Sequence, residues 1–185
     1  DILAFLPGAG EINKTSQLLD DAGAPGVVYP LYGDLPFRQQ QEAILPRNDG
    51  LRKVVLATSI AETSLTIEGI RTVIDGGLSR VPRFDPRSGL TRLETVRVSI
   101  DAADQRAGRA GRLGPGICYR LWDEGTHRGL LPRRKPEILE ADLASLVLEL
   151  AQWGVRDINE LHWITPPPVG SVAQATTLLE QLGAI

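Results

Sequence analysis

The clearest indication of the fold is the stretch RKVVLATSIAETSLTIEGIRTVIDGG, residues 52–77. It contains two short apolar runs, in KVVLAT (53–58) and RTVIDGG (71–77), and each run predicts a strand. Because the runs are apolar almost without interruption, they are typical of strands buried on both faces of a parallel sheet.

The segments on the N-terminal side repeat this pattern. DILAFLPG (1–8) and GVVYPLYG (26–33) predict two more strands, while AGEINKTSQLLDDAG (9–23) and PFRQQQEAIL (36–45) predict helices. Strands that alternate with helices imply an α/β fold with a parallel sheet. Ligands of such sheets bind beyond the carboxyl ends of the strands, which is where PGAG, ATSIAETS and DGGLSR lie.

The alternation of strands and helices is interrupted on the C-terminal side of this stretch. Residues 83–98 predict a β-hairpin around the turn DPRSG, and DAADQRAGRAGR (101–112) predicts a helix that Asp101 or Asp104 caps. GPGICYRLW (114–122) predicts a further strand. Two amphipathic helices, PEILEADLASLVLELAQWG (136–154) and PPPVGSVAQATTLLEQLG (166–183), then predict a small helical appendage.

The composition of the 185 residues is ordinary for a globular protein, with 42% hydrophobic and 23% charged residues. A single cysteine, Cys118, excludes an internal disulfide, and two distant histidines, His127 and His162, argue against a metal site. No apolar run approaches the ~18 residues of a membrane span, and no signal peptide opens the chain. We therefore expect a cytoplasmic location, and we interpret a chain that starts at Asp1 as a piece of a longer protein.

The net charge of -3 conceals a strong asymmetry along the chain. Residues 71–135 carry 14 basic and 7 acidic side chains, whereas the flanking segments 1–70 and 136–185 are both acidic. A basic middle segment predicts a local site for a polyanion, and an unevenly charged solvated surface is the alternative.

The most unusual local pattern is QRAGRAGR, residues 105–112. It spaces arginines three residues apart and places two glycines between them, although each interior glycine costs a helix about 1 kcal/mol relative to alanine. Residues three apart share a helix face, so Arg109 and Arg112 are expected to point together, and their forked guanidinium groups suit phosphate oxygens. Gly108 and Gly111 would let another surface approach. An exposed Arg-Gly helix is the alternative.

Three segments in this order resemble the second RecA-like lobe of DEAH-type superfamily-two helicases. LAFLPGAGEI (3–12) resembles motif IV, KVVLATSIAETSLTIEGIRTVIDGGLSR (53–80) resembles motif V and the strand after it, and QRAGRAGR is similar to motif VI. The resemblance covers about residues 1–120. FLPGAGEI and RFDPRSGLTRL are most similar to one bacterial branch of the family.

The resemblance implies a fold class and two domains. The fold is a RecA-like three-layer α/β structure with a parallel sheet and a β-hairpin insertion, followed by a small, mainly helical, partial winged-helix domain. The helicase lobe would span residues 1–122, and the linker with the partial winged-helix domain would span residues 123–185.

For motif VI, the resemblance implies catalytic roles. Arg109 and Arg112 would be arginine fingers that contact ATP phosphates, and such fingers supply roughly 10³–10⁵ in rate. Gln105 would contact the γ-phosphate or the attacking water. Arg106 would be structural or an ion-pair partner.

For motif V, the resemblance implies contacts to both ligands. Thr58 and Ser59 would contact a nucleic-acid phosphate, although many relatives have Asn at the position of Ser59. Ser64, Thr66 and Glu68 would face the nucleotide, although relatives commonly have Asp at the position of Glu68. An ordinary helix cap formed by Thr63 or Ser64 is the alternative.

Three further places carry implied contacts. Gly8 would offer main-chain N–H groups to a strand phosphate, with a tight turn as the alternative. Relatives often have Phe, which stacks on adenine, where this chain has Leu45. Arg87 and Arg92 would place the hairpin against nucleic acid, with a solvated edge hairpin as the alternative.

The implied activity is that of an ATP-dependent nucleic acid helicase with single-stranded or duplex substrates, RNA rather than DNA. The chain has no GxxxxGK[ST] motif and no Asp-Glu-Ala-His motif, so ATP and Mg²⁺ would be bound mainly by a first RecA-like lobe of the same parent chain. This chain alone is therefore predicted to be inactive. A translocase that remodels complexes without unwinding and a scaffold lobe that binds nucleic acid are the alternatives.

Overall fold

The computed structural model describes residues 1–63, 65–112, 114–155 and 157–185. Its centre is a five-stranded parallel sheet in which Leu3 lies beside Val55 on one neighbour and beside Val73 on the other. The strands, in spatial order, are β2 (Val27–Leu31), β3 (Lys53–Ala57), β1 (Ile2–Phe5), β4 (Thr72–Asp75) and β7 (Ile117–Arg120). The inner strands are buried as their apolar runs predict, which confirms the α/β sheet.

Four helices follow strands of this sheet or the hairpin: α1 (Ala9–Asp21), α2 (Phe37–Ile44), α3 (Ile100–Gly108) and α4 (Glu124–Arg128). α2 begins after Pro36, and it ends before Leu45, whose extended backbone leads into Pro46. Leu3, Phe5, Leu31, Val55 and Val73 form the core of the sheet. No helix in the described part of the chain is long and apolar enough to span a membrane.

Lys53 is fully buried at the start of β3. Its Nζ donates hydrogen bonds to the main-chain carbonyls of Ala43 (2.9 Å) and Leu45 (2.7 Å) at the end of α2, with a longer one to Ile44. A cation at a helix C-terminus satisfies carbonyls that have no partner within the helix. Burial lowers the pKa of the Lys53 ammonium group, and the positive charge of Arg47 lowers it further.

The predicted hairpin consists of β5 (Leu78–Asp85) and β6 (Leu90–Arg97). Its first strand begins five residues before the predicted start at residue 83. The described chain divides into two compact units, and the outer part of the hairpin, Pro82–Glu94, groups with the second unit rather than with the sheet.

The first unit comprises Asp1–Val81 and Thr95–Arg134, and the second comprises Pro82–Glu94 and Lys135–Ile185. The predicted domain boundary at residues 122 and 123 stays a prediction. Two helices, α5 (Ala144–Gln152) and α6 (Val169–Gln181), pack together in the second unit through Leu143, Val147 and Leu179.

The single helix predicted for residues 136–154 is wrong. A short 3₁₀ turn at Glu137–Leu139 precedes a break, and α5 begins only at Ala144. The Asp142 carboxylate accepts a hydrogen bond from the Ala144 N–H (3.0 Å). An Asp side chain that binds a nearby N–H competes with helix continuation and favours a new helix start.

Candidate functional site

The candidate site is built around the loop that connects the carboxyl end of β3 to β4, residues 58–71, which we call the β3–β4 loop. It opens with a 3₁₀ turn, Ser59–Ala61, so Glu62 enters the interior of the first unit and is only 6% exposed. Ser64, predicted to face the nucleotide, lies outside the described residues. The helix-cap alternative at Thr63 or Ser64 therefore stays a prediction.

Arg106 is the largest fully buried side chain of the described residues. Its Nη2 lies 2.7 Å from Glu62 Oε1, and its Nη1 lies 2.7 Å from Asp75 Oδ1, at the carboxyl end of β4. The guanidinium also stacks over Phe5, with its central carbon 4.7 Å from the ring centroid. The prediction that Arg106 is an ion-pair partner is confirmed.

Glu62 accepts hydrogen bonds from a second arginine. Arg134 Nη2 lies 2.8 Å from Oε1 and 2.7 Å from Oε2 of the same carboxylate. Two carboxylates and two guanidinium groups thus balance one another, which compensates for the loss of hydration of the buried charges. We call these four residues, Glu62, Asp75, Arg106 and Arg134, the ion cluster.

Arg109 is buried beside the ion cluster and binds the main chain of the β3–β4 loop. Its Nε lies 2.8 Å from the Glu62 carbonyl oxygen, which also accepts from Nη2, and its Nη1 donates to the Leu65 carbonyl. Burial lowers the pKa of Arg109, and the charge of Arg112 adds to that effect, while Glu62 opposes it. An arginine still remains protonated in proteins.

Arg112 is exposed and lies against the same loop. Its Nη1 donates a 2.6 Å hydrogen bond to the Thr66 hydroxyl. The structure therefore brings together three of the predicted site residues, Arg109, Arg112 and Thr66, around residues 62–66.

Arg109 and Arg112 lie close together for a different reason from the one predicted. α3 ends at Gly108, Arg109 occupies the C-cap position, and Arg112 lies in the turn that follows. The arginines are therefore not on one helix face, and the main-chain carbonyls of the loop hold Arg109 instead. The predicted cap is also wrong, because Ser99 occupies the N-cap position and the Asp101 carboxylate binds the Ala102 N–H from inside the helix.

The remaining residues predicted to face the nucleotide are exposed, and no hydrogen bond among the described residues joins them to Arg109 or Arg112. Gln105 lies on the surface of α3, and Glu68 is exposed further along the β3–β4 loop. Leu45, where relatives often have Phe, is 58% exposed. A Cβ built on Gly108 or Gly111 would meet no described atom within 4 Å, so both glycines border open space.

The predicted nucleic-acid contacts lie at two carboxyl ends and on the hairpin. Thr58 and Ser59 are half-buried after β3, and the Thr58 N–H already donates to the Leu31 carbonyl (3.1 Å). Gly8 occupies the N-cap position of α1, where the Arg80 guanidinium covers it and pairs with Glu11 (3.0 Å). Arg87 and Arg92 are exposed in the second unit.

Sequence reasoning missed Glu62, Asp75 and Arg134 as members of the site. Glu62 lies in the quoted AETS segment and Asp75 in DGGLSR, both at predicted carboxyl ends, and that position is the signal that could have found them. Arg134 is 72 residues from Glu62 and carries no comparable signal.

The N–H donors of Arg109 and Arg112 that remain unused determine which ligand groups could bind here. A guanidinium carries five N–H donors, and the hydrogen bonds to the β3–β4 loop use three of those on Arg109 and one on Arg112. The remaining donors suit phosphate oxygens. Within the described residues, no group of three or more His, Cys, Asp or Glu side chains could hold a metal ion.

Comparison with known proteins supports the resemblance to helicases. The model of the helicase conserved C-terminal domain family matches residues 1–114. The whole chain is 51% identical to the ATP-dependent RNA helicase HrpB of Escherichia coli and 40% identical to the pre-mRNA-splicing factor ATP-dependent RNA helicase prp22 of Schizosaccharomyces pombe. It covers 23% and 16% of those proteins, so it spans about a quarter or less of their length.

Solved structures show the same similarity. Two crystal structures of E. coli HrpB, described as a DExH-box NTPase and as a DEAH/RHA helicase, match the whole chain at 50% identity. Their TM-scores are 0.89 and 0.93, and the chain covers 23% and 24% of them.

Proposed function

Because this chain belongs to the helicase conserved C-terminal domain family, we propose that it is the second motor lobe of an ATP-dependent RNA helicase. One observation carries the proposal. Arg109 and Arg112, from the segment QRAGRAGR, meet the β3–β4 loop at Glu62, Leu65 and Thr66, beyond the carboxyl end of β3.

In this proposal, Arg112 is the outward arginine finger. Bound ATP with Mg²⁺ supplies a phosphoryl group whose oxygens gain charge as it is transferred. A fixed guanidinium near those oxygens stabilises the developing charge without having to reorganise. Arg109 offers its two remaining N–H donors from a more buried position, and Gln105 on the exposed surface of α3 is proposed to orient the water or the γ-phosphate.

The nucleotide itself is proposed to be held mainly by a first RecA-like lobe, because the Mg²⁺ needs carboxylate or phosphate oxygens and this chain has no phosphate-cradling GxxxxGK[ST] motif. Ser64, Thr66 and Glu68 are proposed to face the nucleotide from this side. Closure of two lobes around ATP, followed by reopening after hydrolysis, would move a strand in steps.

The nucleic acid is proposed to be RNA, because the relatives are named RNA helicases. Thr58, Ser59 and Gly8 would contact the phosphates of a single strand from the carboxyl ends of β3 and β1. Arg87 and Arg92, on the part of the hairpin that belongs to the second unit, are proposed separately to contact nucleic-acid phosphates. Arginine suits these contacts because it presents a fixed charge and several donors.

The test is the ATPase activity of the full-length protein that contains this chain, with and without single-stranded RNA. Arg112→Ala is the informative variant because Arg112 is exposed, and its loss should lower kcat about 10³-fold, the scale of an arginine finger, while ATP binding is kept. Arg38→Ala removes an 89% exposed arginine from α2 and is the matched control.

The outcomes separate the candidate functions. RNA-stimulated turnover that collapses only in Arg112→Ala supports the motor lobe, and unwinding of a duplex then distinguishes a helicase from a remodelling translocase. Wild-type protein that binds RNA without hydrolysing ATP would contradict the proposal and favour a scaffold.

A further inference from the structure

We propose that Arg134 and Glu62 are positioning residues for the two phosphate-facing arginines. This inference rests on the proposed function, because it concerns how Arg109 and Arg112 are held for ATP hydrolysis. Neither Arg134 nor Glu62 would touch ATP.

Glu62 accepts hydrogen bonds from arginines at two groups, its side-chain carboxylate and its main-chain carbonyl. The carboxylate is held by Arg106 and by Arg134, at distances of 2.7–2.9 Å. The carbonyl oxygen accepts from Nε and Nη2 of Arg109. Fixing the carboxylate therefore fixes the peptide group that orients Arg109.

The same loop also orients Arg112. Three residues beyond Glu62, the Leu65 carbonyl accepts from Arg109, and the adjacent Thr66 hydroxyl accepts from Arg112. A shift of the loop at Glu62 would therefore displace both guanidinium groups. Misplacement of a catalytic group by about 1 Å can cost about 10²-fold in rate, so a small shift would be measurable.

Arg134 is the adjustable member of this arrangement. Its side chain is 42% exposed, whereas the side chains of Arg106 and Asp75 are fully buried. Glu62 keeps Arg106 as a partner when Arg134 moves away, so this ion pair can open without unfolding the lobe. Arg134 is also the last residue of the first unit, and Lys135 begins the C-terminal segment of the second. Tension on the chain at this junction would act directly on Glu62.

The experiment compares Arg134→Gln with wild type in the full-length protein. We expect kcat for ATP to fall about 10-fold, KM for ATP to change less than about twofold, and the melting temperature to stay within about 2 °C, because the loss concerns orientation in the transition state rather than binding or folding. Arg133→Gln removes an exposed neighbouring charge and should behave as wild type.

Two further measurements separate positioning from a loss of charge or of structure. Arg134→Lys should restore most of the lost kcat, because a single nitrogen of Arg134 contacts both carboxylate oxygens. Amide hydrogen exchange without nucleotide should become faster in residues 58–70 of Arg134→Gln, while exchange in α1 is unchanged.

The results also distinguish this inference from the proposed function. Wild-type protein without ATPase activity would overturn the proposed function, and the exchange measurement would still show whether Arg134 holds the loop. Active wild-type protein with equal kcat and equal loop exchange in Arg134→Gln would overturn the positioning role alone.

Discussion

The strongest structural prediction concerns Arg106, because its removal leaves buried charge behind. Arg106→Met keeps much of the aliphatic stem that packs in the interior but deletes the guanidinium between Glu62 and Asp75. Asp75 is fully buried, and Arg106 is its only ion-pair partner among the described residues. Breaking a buried ion pair by removing one partner costs about 3–5 kcal/mol.

That cost is a large fraction of the roughly 5–15 kcal/mol by which a typical protein is stable. At roughly 2–4 °C per kcal/mol for a chain of this size, the melting temperature should fall by about 6–20 °C. Circular dichroism during thermal and urea unfolding measures both quantities. Arg38→Met is the control, since the pair between Arg38 and Glu42 is exposed on α2 and should contribute less than about 0.5 kcal/mol.

If Arg106→Met unfolded within about 1 kcal/mol of wild type, the two carboxylates could not be as dehydrated as their burial indicates. Arg106→Lys adds a second check, because a single ammonium group cannot bridge two carboxylates as the guanidinium does, so its stability should lie between those of wild type and Arg106→Met.

Two other predictions follow from local geometry. Gly77 has a φ of +71°, and a Cβ there would lie 2.7 Å from the Trp122 ring, so Gly77→Ala should destabilise the chain by about 1–3 kcal/mol in urea unfolding. Gly111→Ala, which borders open space, should change stability by less than about 0.5 kcal/mol, and equal effects of the two changes would contradict the argument. Burial and the nearby Asp75 charge raise the pKa of the Cys118 thiol, so at pH 8 less of it is thiolate than in the unfolded chain. Iodoacetamide should therefore alkylate Cys118 more slowly in native protein than in urea, and identical rates would show that the thiol is not shielded.

Much of the fold could be predicted because local pattern determines it. The apolar runs in residues 52–77 became the buried strands β3 and β4, and the family resemblance that this segment supports is confirmed. The bacterial branch, indicated by FLPGAGEI and RFDPRSGLTRL, is confirmed by the similarity to HrpB. The predicted fold class is confirmed as well, as a parallel sheet with helices and an antiparallel hairpin. The winged-helix assignment of residues 123–185 stays a prediction.

The errors in the fold arose where a side chain competes with a periodic pattern. The apolar spacing of residues 136–154 suits one helix, but Asp142 interrupts it with a hydrogen bond to Ala144. The regular spacing of arginines predicts a helix through residue 112, but α3 ends at Gly108, because glycine weakens the helix. The Arg109 side chain then donates to main-chain carbonyls of the β3–β4 loop.

The candidate site could be predicted only in part, because its contacts join residues far apart in sequence. The resemblance to motif VI singled out Arg109 and Arg112, but the carbonyls that hold Arg109 are 44–47 residues away. Arg106 was recognised as an ion-pair partner, whereas the choice of Glu62 and Asp75 depends on how β3, β4 and α3 pack.

Because Lys53 is buried, its chemical reactivity would report local opening of the lobe. The chain has only three lysines, Lys14, Lys53 and Lys135, and the amino group of Lys53 is sealed beneath the end of α2. Acylating reagents attack amines that are deprotonated and accessible, so Lys14 and Lys135 would be modified first. Lys53 would be acylated only when α2 separates from β3. The rate of that slow acylation would give the free energy of the local opening.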